Sequence, residues 1–495
     1  MIWVAASRAV IAGIAIGESI AVIVLRVAGG MRVPSIMGAM QVQNRSTWVV
    51  LCLAGWSVAT TVATGASGPQ RPAENTITPQ SLARAWDTEH VSPQAPPLMT
   101  HEEVGSRLKA VASGNDGMFS MELIGQSIEG RSIHHLWTGT GATPVLLWSQ
   151  MHGDEPTATA ALFDVYEYLS KHRDQPAVRR ILSNLTLHFV PMLNPDGAER
   201  FQRRNAQSID INRDALRLQT PEGKLLKELR DKLNPKVGFN LHNQSWGTSV
   251  GTPPKPASIS LLSVAFDEAR TENAGRKMTK RLCAVIREAL EPFASGQIGR
   301  YDDEFEVRAF GDNITLWGTP VVLIETGPWP SEEPDPPLIR LNFVAILSAL
   351  DALATGSVDK ADPKRYESLP VNESGLFYVL LRNPTVINGA GVAPYTADIG
   401  IAGTRRVTTS SGTREIQVVT SINDVGDLRD AGALRDVDAT GLTAVPDTGY
   451  TAGAIVDLPD WKSKSEATIA TGQPSRIALL RPVEGGKYRV EMVLK

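Results

Sequence analysis

The chain has 495 residues, of which 42% are hydrophobic, and a formal net charge of −4. That length implies two or three domains with ample apolar content for packed cores. The slight acidity excludes an electrostatic nucleic-acid binder, and the two cysteines exclude a disulfide framework or a thiolate metal cage.

In chain order, residues 1–66 read as a targeting region. The run "WVVLCLAGWSVATTVATGA" (48–66) follows "MQVQNRS". A short basic start, an apolar middle and a small-residue end are the layout of a secretory signal, with cleavage near Ala66. Cys52 comes too early for a lipoprotein signal. A second apolar run, 9–25, contains Glu18 and is marginal as a membrane span. The preferred reading puts residues up to about Gly38 before the natural start, with Met37 or Met40 opening the signal. The rival is an N-terminal membrane anchor, so membrane association requires that the apolar segment is retained. In both cases the folded part is exported, to the periplasm or outside the cell.

Residues 67–97 read as a linker. Thr100 is then an N-cap for a helix on Val104, Leu108 and Val111. "SMELIGQ" and "SIHHLWTG" form a hairpin around "SIEGR". Strand and helix alternate from there: strands at 144–151, 185–193, 236–243 and 319–327, and helices from Pro156 and over 223–233, 267–293 and 338–353. Cys283, inside the third of these helices, reads as a small buried hydrophobe. Continuous apolar strands between helices predict an α/β domain over 98–358, its mostly parallel sheet covered on both faces. Beyond about 365 the helical periodicity fades. Short runs such as "LFYVLLR" and "RIALLRP" predict a small β-rich C-terminal domain over 365–495.

His152 follows one strand, His242 ends another and Glu325 ends a third. In open α/β sheets the ligand site lies beyond the carboxyl ends of the strands, so the three side chains share one rim. His152, Glu155 and His242 supply two imidazoles and a carboxylate. That set suits one catalytic Zn²⁺ with a fourth position left for water. Glu325 is then free to act as general base. The segment "NPDGAERFQRRNAQSIDINRD" (194–214) adds Arg203, Arg204, Asn212 and Arg213. Arginine forks bind carboxylates through paired charge-assisted hydrogen bonds. The expected partner is a peptide bearing a free C-terminal carboxylate.

The ordered set HxxE, NPDG, R-x-N, DxNRD, LH and IETG resembles the M14 family of zinc carboxypeptidases over roughly residues 98–355, and "IGQSIEGRSI" (124–133) resembles that family's first hairpin. The resemblance implies a mixed, mostly parallel eight-stranded sheet with helices on both faces. It implies zinc on His152, Glu155 and His242, and Glu325 as base. Arg203 matches the arginine that steadies the oxyanion, with Arg204 the alternative one register away. Asn212 and Arg213 match the pair that grips the substrate's carboxylate. Asp210 matches the acid that orients the first zinc histidine, and Tyr301 is matched by spacing to the lid tyrosine. Asp214 departs from the family, where many relatives carry asparagine. The C-terminal β domain lies outside the resemblance.

Blander readings stand beside each of these. His152 and Glu155 alone are a polar loop and helix cap, His242 alone a core histidine, and Arg213 a structural ion pair with Asp210 or Asp214. "GQSIEG" (125–130) is no serine-hydrolase elbow, because Glu129 sits where glycine is required. The expected activity is removal of a C-terminal residue from peptides. The alternatives are an amidase or carboxypeptidase acting on cell-wall peptides, and an inactive peptide-binding pseudoenzyme.

Overall fold

The apolar strands come together as a single mixed sheet. The computed structural model describes residues 76–388, 392–457 and 468–494, together with Ala15–Ile16 and Ser19–Ile20. The chain divides into two units, Met1–Gln70 and Arg71–Lys495. In the first, Ala15–Ile16 and Ser19–Ile20 pair antiparallel. The rest of the 9–25 run, the 48–66 run read as a signal, and Cys52 lie outside the described residues.

In the second unit the sheet strands are β1 (Ser120–Gln126), β2 (Ser132–Thr138), β3 (Thr143–Ser149), β4 (Leu185–Val190), β5 (Val237–Asn243), β6 (Ile259–Ser263), β7 (Ile298–Arg300) and β8 (Val321–Thr326). Their order across the sheet is β7-β6-β8-β5-β3-β4-β2-β1. The four central strands β8, β5, β3 and β4 run parallel. β6 turns antiparallel to β8 at one side, and β2 and β1 are antiparallel at the other. The short strands β6 and β7 carry no run long enough to stand out in the sequence.

The central strands are largely apolar because both faces are covered. On β3, Val145 and Leu147 enter one core while Leu146 and Trp148 enter the other. The same alternation divides Val322 and Ile324 from Val321 and Leu323 on β8. The larger core receives helices α1 (Pro79–Glu89), α2 (His101–Ser113), α3 (Thr157–Lys171), α4 (Pro176–Asn184), α7 (Ala274–Leu290) and α9 (Asp335–Thr355). The smaller core receives α6 (Pro221–Leu233) and α8 (Phe310–Leu316). α5 (Pro195–Arg200) sits in the loop after β4. Among the described residues, α9 alone is long and apolar enough to cross a membrane, and it is packed inside this core.

Three boundaries differ from the sequence reading. The stretch 67–97 is not all linker, because α1 lies within it. Thr78 and Ser81 form its capping box, and Leu82, Ala83 and Trp86 are buried. The indole of Trp86 donates to Asp164 on α3 at 2.7 Å. The carboxylate of Asp164 also takes the amides of Val91 and Ser92. α7 starts at Ala274 rather than 267, since Asn273 caps it from the Arg276 amide. The packing of the larger core runs past 358. Tyr366 is buried in the larger core and accepts a hydrogen bond from the Ser263 amide at 3.1 Å. Asn372 then bridges Gln244 and Ser260.

The C-terminal region is a β-sandwich. One sheet carries β9 (Phe377–Arg382), β10 (Asp398–Ser410), β11 (Thr413–Gly426) and β12 (Ala433–Asp438) in the order β11-β10-β9-β12, and a six-stranded sheet faces it. Val379, Ile399, Ile401 and Ile422 from the first sheet pack with Ala444, Ile477 and Leu479 from the second. β10 pairs with β9 only through Ile399–Ile401, whereas its pairing with β11 continues to Ser410. Beyond Ile401 the β10–β11 pair therefore continues past the four-stranded sheet as a two-stranded arm.

Candidate metal centre

β3 ends at Ser149, and the chain crosses to α3 through a loop carrying His152 and Glu155. The loop is fixed from both sides. Gln150 takes a left-handed φ of 50°, donates to the Gly153 carbonyl and accepts from Thr159. The NPDG turn packs against it. Asn194 donates to the carbonyls of Met151 and Arg203 and accepts from the Gly197 amide. Asp196 in that turn binds Ser127, the Glu129 amide and Arg131 of the first hairpin. The turn residues read from the sequence thus lock two loops to each other.

His242 on β5 and Glu325 on β8 are register partners in adjacent parallel strands. Alternation along each strand turns both toward the smaller core's side, at the carboxyl edge, where His152 arrives from β3. His152 Nδ1 lies 2.7 Å from Glu155 Oε1, His242 Nδ1 lies 2.7 Å from Glu155 Oε2, and the two Nδ1 atoms are 3.1 Å apart. All three residues are buried. Two nitrogens each about 2.0–2.1 Å from a tetrahedral zinc lie roughly 3.4 Å apart. The donor types and their spacing therefore fit one Zn²⁺.

Electrostatics point the same way. Burial alone would lower the His152 pKa, yet the carboxylates of Glu155 and Asp210 lift it to about 9. The cluster calls for a cation, and a divalent ion supplies that charge on the Nδ1 side. His152 Nε2 is 3.2 Å from Asp210 Oδ1. An N–H donated there leaves the Nδ1 lone pair for the metal. Burial tends to raise the Asp210 carboxyl, but hydrogen bonds from His152 and Arg203 hold it well below the usual range.

Glu325 is buried, and its Oε2 has no hydrogen-bond partner. Burial first, and then the Glu155 charge, push its carboxyl well above the ordinary value, while His152 and Arg203 pull it back. Arg203 donates from Nε to Asp210 at 3.0 Å and reaches His152 Nδ1 at 3.1 Å through Nη1. Arg204 instead donates to the Ser208 carbonyl at the surface. Asn212 accepts the Phe310 amide on its Oδ1, leaving Nδ2 as a donor. Arg213 donates to the Asn212 carbonyl and pairs with Glu306 at 3.3 Å, a partner the sequence did not suggest. Asp214 has no free carboxylate face. It takes the amides of Gln219 and Thr220 and the Thr220 hydroxyl. The Tyr301 phenol is lifted to about 12, first by the Glu325 charge and then by burial.

His135 and His188 lie elsewhere, within the sheet, 2.9 Å apart and tied to Glu122. Cys283 is fully buried. Burial pushes its thiol up.

The zinc carboxypeptidase family model, Peptidase_M14, matches residues 105–260, a stretch that contains His152, Glu155 and His242. That stretch is similar to the M14 zinc carboxypeptidase family. Carboxypeptidase 2 of Trichophyton rubrum is 26% identical over 190 residues, covering 36% of this chain and 35% of that protein. Carboxypeptidase M of Mus musculus is 29% identical over 123 residues, covering 21% and 28%. The chain thus spans about a third of the length of the curated relatives it matches. Carboxypeptidase A of Helicoverpa armigera has a solved structure 16% identical to this chain, with a TM-score of 0.42 over 57% of this chain and 80% of that one. The M14 match ends before Glu325, Tyr301 and the β-sandwich, so these rest on the geometry of this chain.

Proposed function

We propose that this chain is an exported zinc carboxypeptidase that hydrolyses the last peptide bond of a peptide. The observation that carries the reading is the meeting of His152, His242 and Glu155 beside the unpartnered carboxyl oxygen of Glu325. His152, Glu155 and His242 would hold the ion. When bound, zinc supplies a Lewis acid and a water acidic enough to lose a proton near neutral pH.

The protein's own groups do the rest. Asn212 Nδ2 and Nη2 of Arg213 bind the substrate's terminal carboxylate. The last peptide carbonyl then lies between Arg203 and the histidine pair. Arg203 donates to the oxygen that gains negative charge as water adds. Glu325 takes the proton of that water and hands it to the leaving amine nitrogen. Its raised affinity for a proton suits that shuttle. Tyr301 covers the site and donates to the substrate near the cut. Asp210 holds His152 and Arg203 in place.

Export rests on the apolar stretch 48–66 behind Arg45. N-terminal sequencing of the mature protein tests it, and an intact Met1 on protein recovered from the cytoplasm would refute it. The activity is tested by a library of peptides varied at the C-terminal residue, with and without chelator. Release of single C-terminal residues that stops with chelator and returns with zinc is expected. No release from any member would overturn the reading.

A further inference from the structure

The arm of the β-sandwich comes alongside the metal centre. A cavity of about 280 Å³ beside the ion site is lined by Asp154, Glu155 and Arg203 of the first domain and by Gly403, Thr404 and Arg405 of β10. The arm is clamped on both sides of this cavity. Arg405 pairs with Asp335 at the start of α9 at 2.6 Å, and its guanidinium lies 4.9 Å from the centroid of the Trp246 ring. Arg414, on the partner strand, donates to the carbonyls of Glu199 and Pro97. A second cleft, of about 890 Å³, opens between the two domains. Trp246 and Arg405 line both spaces. Trp329, Tyr378, Ile416 and Val418 give the second cleft an aromatic and apolar wall, with Glu332, Glu333 and Asp335 on its acidic side, and Trp246 stacks on Tyr378 at 5.5 Å.

Direction follows from the carboxylate end. Asn212, Arg213 and Tyr301 do not line the 280 Å³ cavity, so a peptide anchored on them leaves the ion site on the arm's side. Its upstream residues then pass under Gly403–Arg405 toward the aromatic cleft. We propose that the C-terminal β domain completes the substrate groove: the arm walls the subsites upstream of the scissile bond, and the interdomain cleft takes an apolar or aromatic side chain of the same peptide. This rests on the carboxypeptidase reading. It adds that a preference for longer peptides with an upstream aromatic residue comes from the second domain.

The test uses the full-length, zinc-loaded protein and peptides of two to six residues that share one C-terminal residue, with phenylalanine or serine placed upstream. The specificity constant kcat/KM is expected to rise with length, and an upstream phenylalanine to gain roughly ten- to hundredfold over serine, as burial of one aromatic side chain implies. Trp246→Ala in the floor and Val418→Asp on the arm should each shrink that gain, mainly through KM, with thermal melts reporting folding. A specificity constant independent of length and of the upstream residue would overturn the proposal while leaving the carboxypeptidase reading intact. So would an equal loss on short and long peptides in both variants. Absence of cleavage at every length would overturn both.

Discussion

Gly153 and Gly197 meet backbone to backbone: a Cβ on Gly153 would lie 2.0 Å from the carbonyl carbon of Gly197. The metal loop and the NPDG turn can approach this closely only because residue 153 has no side chain. Gly153→Ala must push the loop away and displace His152 and Glu155. Overpacking of this kind costs about 1–3 kcal/mol. The expected outcome is a lower melting temperature together with reduced zinc content by elemental analysis. Full zinc occupancy at unchanged stability would mean that the loop adjusts freely.

His242 supplies one of the two imidazoles. Zinc at a hundredfold over its dissociation constant should stabilise the wild type by about 2.7 kcal/mol, a shift of a few degrees in a thermal melt. His242→Ala should abolish that shift, and a chelator should leave the variant's melting curve unmoved.

Glu325 makes no hydrogen bond through Oε2 and is not one of the three clustered ligands, so its replacement leaves the ligand set intact. Glu325→Gln is expected to retain zinc and to lose about 10²–10⁴ in kcat, the range of a general base. Steady-state kinetics at matched zinc content decides this.

Asp210 carries both His152 and Arg203. Asp210→Asn should weaken zinc about 10–100-fold, as loss of such outer partners does. It should also raise KM or lower kcat by loosening Arg203. Competition with a coloured chelator measures the first effect separately.

His188 has its pKa lowered to about 4, by burial first and then by neighbouring His135. The unfolded chain takes up a proton near pH 6.5, while the native state resists until about pH 4. The stabilisation is therefore complete above 6.5 and is lost as pH falls toward 4, by up to about 3 kcal/mol. Denaturant melts across that window should show the loss, and His188→Asn should reduce it.

The sheet's central strands and the clustered His152, Glu155 and His242 were legible in the residue pattern. Apolar runs such as "PVLLWSQM" and "VVLIE" are long enough to demand burial on both faces, and His152, His242 and Glu325 sit where those runs stop. That Arg203, not Arg204, turns toward the histidines emerges from the folded chain, because it depends on how Asn194 and Asp210 hold the intervening loop. Likewise α1 hid in an apparently irregular stretch, since only the position of Asp164 on a distant helix makes use of Trp86. The arm beside the metal centre was equally unreadable. Nothing local to "AGTRRVTTSSGTRE" relates it to Glu155, and the relation exists only because Arg405 and Arg414 find partners some 70 and 215 residues away in the chain. Periodicity reports what a segment buries, whereas long-range pairing reports against what, and one strand's pattern does not encode the second.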